Sequence, residues 1–156
     1  MRPALKIILS VLVIIASCQA CAKTKSEKEV LIETVSKAVE AAEAKDISAF
    51  MKHVSKDYSD DKGNDYNGIK GILFYHLMRP ENVKVFLSGF EAELSGDRAV
   101  VNSKAFIIRG KEVISIKDIL PSDADGLDVS IVFRKENGRW MATGGNWAPV
   151  GVTGLL

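Results

Sequence analysis

The sequence predicts an α+β fold in which three N-terminal helices pack on a strongly bent antiparallel sheet. Before Pro80, apolar residues such as Leu31 and Val35 recur at helical spacing. After Pro80, apolar and polar residues alternate, which is typical of strands with one buried face. Asn137-Gly138 separates two such stretches and predicts a tight hairpin, because both turn positions tolerate positive φ. Helices followed by an antiparallel meander favour a curved sheet with helices on one face.

The first helix is predicted from about Glu27 to Ala44. Ser26 and Glu29 have capping-box spacing, in which each side chain accepts a hydrogen bond from the other residue's backbone N–H. An apolar stripe then recurs at helical spacing, formed by Leu31, Val35, Ala38 and Ala42. This stripe is expected to face the core of the domain.

Two further helices are predicted before Pro80. Asp46 can cap a short helix over Ile47–Val54. Asn67 can cap a third helix that runs through Met78. That helix is expected to end there, because the residue before a proline avoids helical geometry.

The alternating pattern predicts the strands. One long bent strand is expected from Val83 to Leu94, with a glycine bulge at Ser88-Gly89, where the alternation changes phase. The remaining strands are predicted, in chain order, over residues 98–108, 113–116, 127–133 and 139–147. Together they are expected to form an antiparallel meander.

The N-terminus has the pattern of a bacterial export signal. Met1–Lys6 carries two positive charges, and Ile7–Ala16 is almost entirely apolar. A charged start followed by a short apolar run is typical of a secretory signal peptide, here residues 1–17. The run is too short for a transmembrane helix, which needs about 20 apolar residues.

Two cleavage sites compete after this run. Ile15-Ala16-Ser17-Cys18 resembles the bacterial lipobox, in which the cysteine receives a diacylglycerol and becomes the mature N-terminus. Ala20-Cys21-Ala22 also fits ordinary signal peptidase, which would release a soluble periplasmic or secreted protein that starts at Lys23. The lipobox is favoured because a polar tether follows the cysteine. The expected organisation is a lipidated tether over residues 18–28 and one domain over residues 29–156.

The net charge and the two cysteines indicate which partners and which chemistry are expected. Without residues 1–17, 19 of the 21 basic residues remain against 20 acidic ones, so nucleic-acid binding is not expected. Cys18 and Cys21 have C-x-x-C spacing at the signal-peptide border and not at a helix start, so redox chemistry is not expected. The acylated Cys18 would bind the lipid bilayer, and Gln19 after it favours the outer membrane where the host has one.

Three local features resemble the NTF2-like (SnoaL-like) superfamily, over about Ser26–Val150. The first helix ends in Ala-Lys-Asp-Ile-Ser-Ala-Phe, and a segment with Tyr58, Gly63 and Gly68 precedes the third helix. The final hairpin reads Val-Phe-Arg-Lys-Glu-Asn-Gly-Arg-Trp, followed by Trp147. The resemblance implies a cone-shaped α+β domain, and relatives often dimerise through the sheet. It implies no particular activity, because the superfamily includes isomerases, dehydratases, cyclases, transport adaptors and plain binding domains.

The resemblance also implies a cone whose mouth could bind a ligand. Five residues are candidates to line it: Tyr58, Tyr66, Tyr75, His76 and Trp147. His76 is expected on the apolar side of its helix, where a neighbouring carboxylate such as Asp60 would allow acid–base chemistry. A hydrogen-bonded structural histidine is the favoured interpretation. No residue matches a catalytic motif, so no catalytic residue is assigned.

Residues 57–68 are rich in turn-forming residues and are predicted to be a loop. Its acids are Asp57, Asp60, Asp61 and Asp65. They fail the EF-hand spacing, because neither Gly63 nor Gly68 at the turn position puts an acid at the first ligand position. A solvated loop is favoured over an unusual calcium loop. His53 is expected to interact with the C-terminal dipole of the second helix, and neither a metal nor another cofactor is expected.

Three functional hypotheses follow. The leading one is a cell-envelope lipoprotein with a non-catalytic domain that binds a small apolar ligand or a protein partner. The second is a lyase or isomerase that uses His76 or a carboxylate inside the cone. The third is a structural module without a pocket that forms a homodimer. A cavity lined by His76 and an ionisable partner would favour the enzyme, and a filled cone would favour the interaction module.

Overall fold

The structure, a computed structural model, describes residues 25–110 and 124–151. Within these residues, three helices precede four strands. They are α1 (Glu27–Glu43), α2 (Ile47–Met51), α3 (Tyr66–Leu77), β1 (Val83–Ser95), β2 (Arg98–Arg109), β3 (Ala124–Glu136) and β4 (Arg139–Val150). The strands form an antiparallel sheet in the order β1-β2-β3-β4. The predicted α+β class is confirmed, whereas the predicted signal peptide, Cys18 and the predicted strand 113–116 lie outside the described residues.

Side-chain caps start the first two helices as predicted. Glu29 N–H donates to Ser26 Oγ at 3.2 Å, and Ser26 N–H donates to the Glu29 carboxylate at 2.7 Å. Asp46 Oδ1 accepts from Ala49 N–H at 2.8 Å and caps α2. Within the described ranges, no helix is both long and apolar enough to cross a membrane.

Two predicted helix boundaries are wrong. α3 starts at Tyr66 because Asp65, and not Asn67, is its N-cap: Asp65 Oδ1 accepts from Gly68 N–H at 2.8 Å. A carboxylate at this position also interacts favourably with the positive end of the helix dipole. α2 ends at Met51 and not at Val54, because Val54 pairs with β4.

The predicted glycine bulge in β1 is confirmed. The pairing with β2 shifts between Ser88 and Glu91, so that Gly89 and Phe90 both lie opposite Ser103. Gly89 has a φ of +65°, and Ser103 Oγ donates to the Ser88 carbonyl at 3.1 Å. The extra residue bends the strand and increases its twist, which curves the sheet around the helices.

The main core lies between α1 and the sheet. Leu31 has 0% of its surface exposed and packs against Ala99, Val101, Phe133 and Trp140. These side chains come from α1, β2, β3 and β4, so one cluster joins the first helix to three strands. Under α1 the concave side of the sheet is therefore packed with side chains.

A second cluster fixes the orientation of α3. Ala42 of α1, Leu77 of α3 and Val83 of β1 are buried together, and Leu73 packs against them. Leu73 and Leu77 are four residues apart and lie on one side of the helix. This stripe decides which side chains of α3 remain in solvent.

The β3–β4 hairpin turns at Asn137-Gly138, as predicted. Asn137 has a φ of +50° and Gly138 a φ of +76°. A type I′ turn requires positive values at both positions. Glu136 and Arg139 pair across the turn and lie together at this end of the sheet.

Replacing Gly138 with alanine is expected to lower the free energy of unfolding by about 1 kcal/mol, because an alanine at positive φ is strained. The matched control is Gly71→Ala, at an exposed position of α3 where the added Cβ has no heavy atom within 4 Å. The control is expected to raise the free energy of unfolding by about 0.5–1 kcal/mol. Chemical denaturation measures both, and effects of the same sign would contradict the turn assignment.

Candidate functional site

The outer edge of β4 is covered by the segment between α2 and α3. Val54 pairs with Ala142 in a parallel bridge. Ala142 N–H donates to the His53 carbonyl at 2.8 Å, and the Ala142 carbonyl accepts from Ser55 N–H at 2.9 Å. An edge strand carries unpaired backbone groups, and these bonds satisfy some of those of β4. They also fix the positions of α2 and α3 on the sheet.

A bulge and a glycine in β4 let this segment come close. The β3–β4 pairing shifts by one residue and leaves Thr143 as the extra residue of the bulge. The Thr143 carbonyl accepts from Ser59 N–H at 3.1 Å. A Cβ at Gly144 would lie 2.7 Å from the Ser59 carbonyl oxygen, so only glycine fits there without a shift of the backbone.

The loop before α3 is organised by the buried carboxylate of Asp60. Its oxygens accept from Lys62 N–H, Asn64 N–H and the Asn64 side-chain amide, each at 2.9 Å, and Oδ2 lies 3.5 Å from the Tyr58 hydroxyl. Burial acts to raise the pKa of Asp60, but the hydrogen bonds from Asn64, Lys62 and Tyr58 outweigh it and hold the pKa below its usual value. The carboxylate is therefore ionised and surrounded by donors.

An open groove of about 590 Å³, called the α2–α3 groove below, lies between α2, α3 and the β3–β4 hairpin. Its apolar lining is formed by Ile47, Met51, Val54, Phe74 and Met141. Its charged lining consists of four cations and one acid: Lys52, Lys56, Lys70, Arg139 and Glu136. Tyr66 and Ser48 complete the lining. The groove thus combines an apolar surface with an excess of positive charge.

A smaller groove of about 320 Å³ adjoins the first, and the two share Lys52, Arg139 and Met141. His53 and Lys37 line the smaller groove. Burial lowers the pKa of His53, and the positive charges of Lys37, Arg139 and Lys52 lower it further. The histidine therefore experiences a positive potential at this end of the molecule.

Most cations of the α2–α3 groove form no ion pair with an acid of residues 25–110 or 124–151. Ion pairs in the part of the chain that the structure describes engage other basic residues, namely Lys25, Lys37, Lys84, Arg109 and Lys135. None of these pairs involves Lys52, Lys70 or Arg139. Their charges are available to a bound anion.

Lys56 and Glu136 are engaged by neutral groups. Lys56 Nζ lies 3.6 Å from the centroid of the Tyr66 ring, a cation–π contact that leaves the charge in place. The Glu136 carboxylate accepts from the Ser55 hydroxyl at 2.7 Å. The single acid of the groove is thus held by the segment that covers β4.

No protein family model matches this chain, and no curated protein matches it. Solved structures do match it. An NTF2-like protein from Cytophaga hutchinsonii superposes with a TM-score of 0.62 and 13% identity, over 81% of this chain and 100% of that one. A proposed dehydratase from the NTF2-like family of Streptomyces avermitilis superposes with a TM-score of 0.63 and 16% identity, over 78% of this chain and 94% of that one. This chain has the NTF2-like fold.

A third solved structure also resembles this chain in fold. A protein of unknown function with a cystatin-like fold from Nostoc punctiforme superposes with a TM-score of 0.65 and 14% identity, over 85% of this chain and 98% of that one. At these identities the likeness is one of fold. Function in an NTF2-like domain must therefore be argued from its own side chains.

The NTF2-like domain brings some of the predicted ligand-lining residues together. Tyr58 is buried against Met51 and Val54, and Tyr66 packs on the same cluster. Burial raises the pKa of the Tyr58 hydroxyl, and the neighbouring Asp60 raises it further. Of the five predicted residues, Tyr66 is the one that lines the α2–α3 groove.

Trp147 lies on β4 and holds the acidic loop. Lys62 Nζ donates to the Trp147 carbonyl at 2.7 Å and lies 4.5 Å from the centroid of the indole ring. Trp147 is half-buried in this arrangement. Its contacts are with the loop and not with the α2–α3 groove.

Tyr75 and His76 lie apart from the other predicted residues. Tyr75 is 66% exposed, and His76 is exposed with its ring edge-on to that of Tyr75, at a centroid distance of 5.1 Å. The expectation that His76 lies on the buried side of α3 is not met, because the helix packs through Leu73 and Leu77. His76 falls beside that stripe.

Sequence reasoning did not identify the cations of the groove. Lys52 and Lys56 are four residues apart, but Lys70 and Arg139 lie far away in the chain. The i,i+4 spacing was the single available signal, and the tertiary structure is needed to place the other two beside it. Over residues 25–110 and 124–151, no group of three or more His, Cys, Asp or Glu side chains could hold a metal ion.

Asp60→Asn is expected to lower the free energy of unfolding at pH 7 by about 1–2 kcal/mol. The amide oxygen is a weaker acceptor than the carboxylate, and the amide NH₂ group would face the N–H donors of Lys62 and Asn64. The folded-state pKa of Asp60 lies below its unfolded value. Its stabilisation is therefore complete above about pH 4 and is lost as the pH falls through the folded pKa. Denaturation curves at several pH values should show a weaker acid dependence in Asp60→Asn than in the matched control Asp61→Asn, and identical profiles would contradict the role of Asp60.

Proposed function

We propose that this chain is an exported cell-envelope lipoprotein whose NTF2-like domain binds a small, elongated apolar ligand without catalysis. The observation that carries the proposal is the apolar lining of the α2–α3 groove. Ile47, Phe74 and Met141 contribute its accessible surface, and the side chain of Met141 can adapt to ligands of different shape. The groove volume of about 590 Å³ lies in the usual range for sites that hold small molecules.

The size of the groove bounds the expected affinity. Eight buried methylene groups would contribute about 6 kcal/mol before the loss of freedom on association. The dissociation constant for a neutral alkyl ligand is then expected to lie above about 1 μM. Such a value suits a protein that must release its ligand as well as bind it.

The proposed anchor is the acylated Cys18. One acyl chain gives only marginal membrane binding, whereas two or more give stable anchoring. Residues 18–28 would then connect the membrane to α1, which begins at Glu27. The domain would remain at the membrane surface with its groove accessible.

The lyase or isomerase alternative has less support. The Asp60 carboxylate already accepts hydrogen bonds from Lys62 and Asn64, which favours its ionised form and occupies its lone pairs. His76 is exposed on α3 and is not among the hydrogen-bond partners of this carboxylate. Neither side chain lines the α2–α3 groove.

Binding of a protein partner is a second candidate, favoured by the exposed side of α3. Three large apolar side chains are in solvent there: Phe74 is 62% exposed, Tyr75 66% and Met78 46%. Contiguous exposed apolar side chains often mark interaction surfaces. Phe74 also lines the α2–α3 groove, so the two candidate surfaces are adjacent.

Ligand binding is tested with the neutral fluorescent probe N-phenyl-1-naphthylamine, titrated into the mature chain carrying Cys18→Ala. Ser48→Trp is expected to weaken binding about tenfold or more, because the indole fills the lined space. Ser36→Trp, at an exposed position of α1 outside the groove, is the matched control and should leave the affinity unchanged. Equal probe affinity in both variants, with both folded by circular dichroism, would place binding elsewhere.

Lipid attachment is tested by fractionation and intact-mass measurement. Cys18→Ala is expected to leave the membrane fraction, whereas the matched control Cys21→Ala should stay in it, because Cys18 alone is the proposed acylation site. The mature wild-type protein should have the mass of a chain that starts at Cys18 and carries acyl groups. A mature chain that starts at Lys23 without lipid would contradict the lipoprotein proposal.

A further inference from the structure

We propose that the α2–α3 groove selects single-chain amphiphiles with an anionic head group, which binds at Lys52 and Arg139 while the alkyl chain packs on the apolar lining. The inference rests on the proposed ligand-binding function and names the chemical class of the ligand. It depends on the charges of the groove and on the groups that face them.

The first argument is the charge composition of the lining. Four cations and one carboxylate line the groove, in a chain whose formal net charge is only +1. Charges of one sign around a concave, partly apolar surface strengthen the local potential, because the low-dielectric walls reduce screening. The carboxylate, Glu136, is held by the Ser55 hydroxyl.

The second argument is the position of Lys52 and Arg139. Both residues line the α2–α3 groove and the smaller groove, so they lie on the boundary between the two. Neither forms an ion pair with an acid of the described ranges. An arginine guanidinium can bind both oxygens of a carboxylate or phosphate, which suits an anionic head group.

The third argument is the environment of His53 beside these cations. The charged groups around it are Glu33 and Lys37 of α1, Lys52 directly after α2, and Arg139 of β4. Glu33 is shared between Lys25 at 2.5 Å and Lys37 at 2.9 Å, so its charge is already compensated. Glu33 of α1 therefore does not neutralise the positive charges of Lys52 and Arg139 at this boundary.

The apolar lining accounts for the other part of the proposed selectivity, which is the preference for an alkyl chain. Ile47, Phe74 and Met141, whose side chains are at least partly exposed, cannot satisfy a polar chain, so an inorganic anion would use the cations and leave these side chains in water. An anionic amphiphile uses both surfaces at once. Neutral lipids would use the apolar surface alone.

The test compares decanoate, 1-decanol and decylamine by calorimetric titration of the mature chain carrying Cys18→Ala. Decanoate is expected to bind about tenfold more tightly than 1-decanol at low salt, and this advantage should shrink at high salt because exposed charges are screened. Decylamine is expected to bind more weakly than 1-decanol. The pKa of His53, followed by NMR, should rise when decanoate is bound, since the anion offsets the charges of Lys52 and Arg139, and should not rise with 1-decanol.

The variants separate a local site from the overall charge. Lys52→Gln combined with Arg139→Gln should remove the advantage of decanoate over 1-decanol, so that the two ligands bind with similar dissociation constants. The control pair Lys28→Gln with Lys104→Gln removes the same charge at exposed positions outside both grooves and should leave both affinities unchanged.

The outcomes distinguish this inference from the function on which it rests. If 1-decanol binds as tightly as decanoate, or if the control pair weakens decanoate as much as the groove pair, the anionic selectivity is overturned and groove binding stands. If none of the three amphiphiles binds, both proposals are overturned. Tighter binding of decylamine than of decanoate would overturn the assignment of the head group.

Discussion

The segment between α2 and α3 pairs with the edge of β4, and the end of the molecule that carries the α2–α3 groove depends on this pairing. Ala142 uses both of its backbone groups for this segment, through Ser55 N–H and the His53 carbonyl. Pairing at two successive points fixes both ends of the segment, since Ser59 bonds to the bulged Thr143. α2 and α3 are thereby held beside the hairpin, and the space left between them is the groove. Without the bulge, the sheet edge would offer no carbonyl at that position.

Around this segment, the acidic side chains accept hydrogen bonds within the protein, whereas several basic side chains form no ion pair in the described ranges. Asp60 accepts from backbone N–H groups of its own loop, and Glu136 accepts from the Ser55 hydroxyl of the segment that covers β4. Lys52, Lys70 and Arg139 have no acidic partner in the described ranges, although a near-neutral chain offers enough acids to pair them. Exposed cations of this kind contribute little to the stability of the folded chain, and the proposed anionic head group would give them a partner.

Local features were predictable from the sequence, and long-range ones were not. Asn137-Gly138 and the bulge at Gly89 were predicted because their backbone geometry depends on a few neighbouring residues. The sequence predicted Asn67 as the cap of α3 where the structure has Asp65, because both residue types cap well and the difference lies in how the loop approaches the helix. The exposure of His76 depends on the rotation of α3 about its axis, which the packing of Leu73 and Leu77 against α1 and β1 decides. The charged lining of the groove combines residues of the segment after α2 with residues of α3, β3 and β4. The first two of these parts are far from the other two in the chain, so no local sequence pattern predicts that they lie together.

The attachment of α1 relates the groove to the proposed membrane anchor. Glu27, in the first turn of α1, forms an ion pair with Lys135 of β3 at 2.7 Å, so the helix start lies beside the hairpin end of the sheet. Lys135 directly precedes Glu136, which lines the groove. The nine Cα–Cα steps from Cys18 to Glu27 span at most about 30 Å when fully extended. In the proposed lipoprotein, the end of the domain that carries the groove would therefore stay close to the bilayer. An amphiphile could then pass between the bilayer and the groove over a distance comparable to the domain itself, so under this proposal the membrane would be the source of the ligand.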